Sequence, residues 1–484
     1  MKFALVSSPT PMPASPALAR RTLLFGLTSL GTLALSRPLR AQSGPPPAGG
    51  ISKLADLRRL GPESASPSPL FVVNAFTPDD EGGGWFVWRA NSKIDDDDGC
   101  VVAPDATKPG RWHRVFSGPV DARWFGAHGD GKQDDGSAIQ RAVDHHADIY
   151  LPAGVYRLTA PIDLTKQWGR RLSGAGQAAD PGNANGFDKG RLSLATTLLL
   201  DAGDAPVLRL AGSGNVVERL CLMAKIRQSR DNKASYGIEL QGVSRSRLSD
   251  LRIFNCATGI GLPQKALARD GRSNWMFDST LSNIDINGFS RCGLDLRNYQ
   301  GGGTGVVLSQ IYMANMAEGG TQANGTLYEA DHFILGQNWA EYVLQAVHCE
   351  WTRCRDIPIQ LANCNATIAG LHLEGLRFAQ DVAAIIRTEG GNAGLSVDAV
   401  QLYNCLIEGG PSTPPLPLAA SAAKTARLRL SSIMLSRTNA SEGGRKLTAA
   451  RILGGDANIV LNGLIQESNV YLPPAPTQNL TVSP

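Results

Sequence analysis

Eight times between residues 217 and 435 the chain repeats one short pattern: apolar, two variable residues, apolar, one variable residue, apolar. It reads Val217/Leu220/Leu222, Leu248/Leu251/Ile253, Leu281/Ile284/Ile286 and Leu308/Ile311/Met313. It continues as Leu344/Val347/Cys349, Ile368/Leu371/Leu373, Val397/Val400/Leu402 and Leu430/Ile433/Leu435. The middle residues recur at steps of 24 to 36 residues. Short alternating strands at such intervals, separated by Gly, Asn and Ser, mark a solenoid. Helical repeats need a 3.6-residue period, whereas these segments alternate with period two. Uneven steps suit a parallel β-helix, whose rungs close through loops of free length. The expected fold is therefore all-β, a right-handed single-stranded parallel β-helix over residues 119–470.

Composition agrees with a turn-rich β protein. Gly accounts for 53 of 484 residues, while charged residues make up only 19%. The chain holds 47 Lys+Arg against 43 Asp+Glu. Five of those bases lie in residues 1–41, which contain no acid, so the remainder has no basic excess. Phosphate neutralisation demands such an excess, and nucleic acid is excluded as a partner. Arg20-Arg21 ahead of a mildly apolar stretch reads as a twin-arginine-like export signal over residues 1–41, followed by a linker over 42–68. The expected location is periplasmic or secreted, with no membrane span in the mature protein. Eight cysteines in that compartment permit disulfides. Several fall on apolar strand positions, however, and read as buried free thiols; no Cys/His spacing fits a zinc site.

Ahead of the repeats stands Phe125-Gly126-Ala127-His128-Gly129-Asp130-Gly131-Lys132-Gln133-Asp134-Asp135-Gly136-Ser137-Ala138-Ile139-Gln140, and then Tyr150-Leu151-Pro152-Ala153-Gly154-Val155-Tyr156. These segments resemble the opening of the pectate-lyase superfamily, which includes β-helical polysaccharide lyases, rhamnogalacturonase-like hydrolases, epimerases and phage tailspikes. The resemblance implies a capping helix from about Ser137 that plugs the solenoid. Asp134 or Asp135 would cap it, a structural role. Gly82-Gly83-Gly84-Trp85-Phe86-Val87-Trp88 and Gly110-Arg111-Trp112-His113-Arg114 resemble the small β unit that often precedes such a helix. It is expected over residues 69–118, with Trp85, Trp88 and Trp112 as its core. Residues 471–484 read as a tail.

Stacking the repeats defines two outward columns. The first runs Cys221, Arg252, Asp285, Tyr312, His348, His372, Gln401, Met434. The second runs Met223, Phe254, Asn287, Ala314, Glu350, Glu374, Tyr403, Ser436. Both are polar in the middle, where His-x-Glu occurs on two adjacent rungs. Neighbouring strands lie about 4.8 Å apart, so Glu350 and Glu374 should be stacked carboxylates, one acting as acid and the other as base or nucleophile. The candidate catalytic residues are Glu350, Glu374, Asp331 and His348. Candidate substrate-binding residues are His372, Tyr312, Asp285, Arg252, Arg353 and Tyr403. Asp331 and Trp339 belong to a long rung expected to wall the site, and Arg353 and Arg355 are placed to pair with a sugar carboxylate.

No metal and no cofactor are expected. The Asn-Thr-Asp, Asp-Asp and Gly-His-Gly set of polygalacturonases and the Asp-Pro-His set of β-helical epimerases are both missing from the repeats. No active residue therefore carries over from those families. The expected function is cleavage of a polysaccharide main chain, with hydrolysis favoured over β-elimination. The alternative is a non-catalytic polysaccharide-binding or attachment protein. The partner is the polysaccharide, and the chain is expected as monomer or homotrimer.

Overall fold

The spacing of the repeat has a backbone cause. In each rung the second variable residue adopts a left-handed conformation: Arg219, Asp250, Asn283, Gln310, Ala346, Ala399 and Ser432 have φ between 51° and 58°, and Gly370 has φ 77°. One left-handed residue resets the alternation, so apolar residues three apart both point inward. For non-glycine residues that conformation is unfavourable, and it persists here because the stacked rungs on either side fix it.

The computed structural model describes residues 51–482 except 61–68, 106–108, 167, 178–193, 264–274, 299–302, 316–326, 391–392, 423–426, 441–443, 453–457, 467–470 and 473–479. Residues 1–41, with Arg20 and Arg21, lie outside it. The strands wind as a parallel β-helix with three faces. The first face stacks Val216–Ala224, Arg247–Phe254, Thr280–Asn287, Val306–Ala314, the later halves of His332–Glu350 and Ile359–Glu374, then Gly394–Tyr403 and Arg427–Ser436. All neighbours pair in parallel. The second face carries Tyr236–Ser244, Cys292–Arg297 and Ile386–Glu389 among others. The third is a ladder of two-residue strands, Glu329–Ala330, Arg353–Cys354, Arg377–Phe378, Leu406–Ile407 and Asn439–Ala440.

Inside, Leu220, Leu251, Ile284, Ile311, Val347, Leu371, Val400 and Ile433 are all buried in one continuous core. Full burial of each such side chain stabilises by about 1.5–3 kcal/mol. Trp339 belongs to this interior rather than to a wall: it is 1% exposed, stacks on Tyr342 and donates its indole N–H to the Leu296 carbonyl at 2.6 Å. All eight cysteines are buried and free. Burial pushes the Cys221 thiol up to about 12.

Helix α1 (Leu54–Arg58) and strand β1 (Ile51–Lys53) occupy part of the expected linker. They complete a five-stranded sheet with β2 (Leu70–Asn74), β3 (Gly84–Arg89), β4 (Val101–Val102) and β5 (Arg111–Arg114), in the order β1-β2-β3-β5-β4. Leu54 and Leu57 recruit this segment, because both are buried against Phe86 and Trp112. Trp85 departs from the expected core: it is 44% exposed and edges onto Phe71. At the other end, Tyr471–Leu472 and Leu480–Val482 pair onto the last rungs and are not a free tail.

Helix α2 (Gly136–His145) plugs the first rung with Ala138, Ile139, Ala142 and Val143, all continuous with the solenoid core. Of the two expected caps, Asp134 accepts the amide of Gly136 at the helix start, whereas the Asp135 side chain makes no capping hydrogen bond to the helix. Asp135 instead accepts the His128 and Gly129 amides at 2.7 and 3.1 Å, holding the Gly-rich loop. Asp134 accepts the Gly136 amide and both the amide and hydroxyl of Thr159.

Candidate active site

The outward columns of the first face fall in register as the repeat requires. Arg252 pairs with Asp285, Asp285 with Tyr312, Tyr312 with His348, His348 with His372, and His372 with Gln401. Beside them run Phe254, Asn287, Ala314, Glu350, Glu374 and Tyr403. Stacking thus brings Tyr312, His348, Glu350, His372 and Glu374 into one cluster.

Glu350 and Glu374 are half-buried at the end of their strands, just before the turn to the third face. The Tyr312 hydroxyl donates to Glu350 Oε2 at 3.1 Å, and His348 Nδ1 lies 3.6 Å from Glu350 Oε1. Burial, and then the Glu350 charge, push the Tyr312 phenol well above its ordinary range. Tyr312 therefore stays protonated and acts as a donor, not as a base. On the next rung His372 Nε2 lies 2.9 Å from Glu374 Oε2, and its Nδ1 lies 3.0 Å from Gln401 Oε1. His372 thus bridges Glu374 and Gln401 through its two ring nitrogens. The two imidazoles stand 5.2 Å apart. Gln401 was not among the candidates; its place in the same column was the signal for it.

Glu350, His372 and Glu374 each offer a donor atom, and these atoms lie within 4.8 Å of one another. That spacing suits two carboxylates acting on one bond, and equally three ligands of a divalent cation.

The remaining candidates sit around this cluster or away from it. Arg252 and Asp285 form an ion pair at 3.5 Å two rungs up the column. The Tyr403 hydroxyl accepts from Arg437 Nη1 at 2.9 Å, one rung below Glu374. Asp331 is not brought to the carboxylate pair. It lies at the corner between the third and second faces, 3.3 Å from Arg230, and burial raises its pKa. Arg353 is on the third face with its fork already filled: Nε and Nη2 donate to Glu408 at 2.9 and 2.7 Å, and Nη1 donates to Glu329. Arg355 donates to the same Glu329 at 2.7 Å. Arg353 therefore has no free fork for a sugar carboxylate, and Arg355 shares its surface network.

Comparison with known proteins bears on this geometry. Residues 120–330 match the family described as rhamnogalacturonase A/epimerase, pectate lyase-like, and residues 50–117 match the phage tail protein small four-stranded β-sheet domain. The parallel β-helix agrees with the first match. Glu350 and Glu374 lie beyond the matched residues.

Among solved structures, the chain is similar to the enzymatically active domain of tailspike protein 2 from bacteriophage CBA120. They share 14% identity with a TM-score of 0.52, over 86% of this chain and 57% of that one. It is similar to the full-length tailspike protein 2 from an Escherichia coli O157:H7 bacteriophage (13%, 0.54, 90% and 55%). It is also similar to the tailspike protein of Acinetobacter baumannii phage AM24 (12%, 0.51, 88% and 65%). At such identities the likeness is one of fold, and the chain spans less than two thirds of each. No curated protein matches the sequence. Among the described residues no helix is long and apolar enough to cross a membrane.

Proposed function

We propose that this protein cleaves the main chain of a polysaccharide by hydrolysis, with Glu350 and Glu374 as the working carboxylates. The observation that carries the reading is their stacking on adjacent rungs with donor atoms within 4.8 Å. Each has its own proton-bearing side chains, Tyr312 and His348 for one and His372 for the other. The Tyr312 hydroxyl donates to Glu350 and orients it, which suits a nucleophile or base. Glu374, hydrogen-bonded to His372, is placed as the acid that protonates the leaving oxygen. Carboxyl groups about 5–5.5 Å apart act with retention, whereas inversion needs about 6.5–9.5 Å to admit a water. The short spacing here supports retention. A phage tailspike domain of the same fold is described as enzymatically active, which agrees with this reading.

Product analysis tests it. Digestion of acidic and neutral bacterial exopolysaccharides should release reducing ends without the ultraviolet absorbance of an unsaturated sugar, and the first-formed anomer should match the substrate. Polysaccharide binding without any cleavage would support the attachment reading instead.

The three-donor cluster favours a second reading, β-elimination assisted by a divalent cation at Glu350, His372 and Glu374. Unsaturated product that appears only with added calcium, and vanishes with chelator, would select it over hydrolysis.

The fold belongs with an exported protein, periplasmic or secreted, monomeric or homotrimeric, with residues 1–41 as the twin-arginine signal. Replacing Arg20 and Arg21 by Lys should then leave the precursor in the cytoplasm, as read by fractionation. Undiminished export would point to the general secretion route.

A further inference from the structure

The first face holds a concavity toward the start of the strands that end in Glu350 and Glu374. It is a depression of about 350 Å³ crossing four rungs, lined by Glu341, Asn365, Thr367, Gly394, Ser396, Arg427 and Arg429 among others. Its shape follows from the register. Asn365, Gly394 and Arg427 form one outward column, and Thr367, Ser396 and Arg429 form the next. The missing side chain at Gly394, between Asn365 and Arg427, makes the hollow: a Cβ there would meet Asn365 Oδ1 at 3.0 Å. At the far end Arg427 and Arg429, both exposed, stand two residues apart on one strand, about 7 Å. Asp398 lies within electrostatic reach of Arg429. Small hydroxyl and amide side chains beside an arginine pair are the chemistry that holds a sugar bearing an oxyanion.

We propose that this depression is a distal subsite for an acidic residue of the glycan, with Arg427 and Arg429 receiving a carboxylate or sulfate and Asn365, Thr367 and Ser396 its hydroxyls. Seven residues separate Thr367 from Glu374 along the strand, so the subsite lies about 20 Å from the proposed carboxylates. It rests on the polysaccharide reading above and adds to it that the polymer is anionic. A chain held at two places on one face dissociates more slowly than a short fragment held at one.

The test is affinity electrophoresis of the full chain through gels containing polygalacturonate, dextran sulfate or neutral dextran, at about 0.15 M ionic strength to screen diffuse attraction. The wild type should be retarded by one or both anionic polymers and not by dextran; which of the two retards it more identifies the oxyanion as carboxylate or sulfate. The R427A/R429A variant should bind about tenfold or more weakly. Gly394→Val, which fills the hollow without changing charge, should do the same. The charge-matched control R59A/R89A, far away just after α1 and on β3, should bind as the wild type does. Retention of E350Q equal to wild type would separate the subsite from the catalytic reading, so a failure of hydrolysis leaves the arginine result standing. Equal retardation by dextran, no retardation by either anionic polymer, or an R427A/R429A variant that binds like the control would overturn the proposal.

Discussion

The molecule carries two conspicuous pairs of acids, and their surroundings differ. At the start of the solenoid, two backbone amides hold each aspartate: Gly136 and Thr159 for Asp134, His128 and Gly129 for Asp135. The Thr159 hydroxyl adds to the first at 2.6 Å, and the His128 ring stands 3.5 Å from the second. Four directed amides fix the geometry of the Gly-rich loop and of the start of α2. In the middle rungs, Glu350 and Glu374 meet the hydroxyl of Tyr312 and the rings of His348 and His372, groups that donate and accept protons. Proximity of carboxylates is common to both places. What differs is the partner that dominates: two backbone amides on each terminal aspartate, a phenol and imidazoles on the middle pair.

The largest effect should come from Glu350→Gln. The amide keeps an oxygen for the Tyr312 hydroxyl but cannot ionise, so turnover on a cleaved glycan should fall by about 10²–10⁴-fold. The melting temperature should hold, because no cavity opens. Full activity in this variant would remove the middle pair from the chemistry.

A second contrast lies within one column. Met223 occupies the same outward column as Glu350, four rungs earlier, yet it is 1% exposed and packs with Val155, Leu199, Cys221 and Phe254 in a small cluster. Met223→Ala should destabilise by about 2–5 kcal/mol, read as a lower midpoint of denaturant unfolding, with turnover per folded molecule unchanged. A catalytic defect without destabilisation would mean that the active face extends to the first rungs.

Much of this was legible in advance, and the reasons are physical. The interior repeats because each rung must bury the same face against the last, so Leu251, Ile284, Ile311 and Leu371 announced the register, and the register placed Glu350 beside Glu374. The left-handed residue at Ala346 or Ser432 was hidden: no single residue type occupies that position, and only the two-residue gap betrays it. The partners of Arg353 and Asp331 were hidden because sequence shows a charge and not its counter-charge; Glu408 and Arg230, 55 and 101 positions away along the chain, become their neighbours only through the winding of the rungs. Residues 51–58 read as linker because five residues are too few to show a helical period, although Leu54 and Leu57 carry the burial.

The smallest expected effects belong to the first acid pair, and they discriminate between its members. Asp135 is fully buried and accepts two amides; Asn in its place offers one carbonyl oxygen and turns an N–H₂ toward a backbone donor. Leaving a buried donor unsatisfied costs about 1–3 kcal/mol. Asp134 is exposed, so water replaces whatever the side chain loses. Asp134→Asn should therefore cost only about 0.5–1.5 kcal/mol, the net worth of an ordinary hydrogen bond. Both variants should keep wild-type turnover once folded, with Asp135→Asn melting lower than Asp134→Asn. A collapse of turnover in either variant at unchanged melting temperature would reverse the division of labour, and the chemistry would then belong at the mouth of the solenoid beside α2.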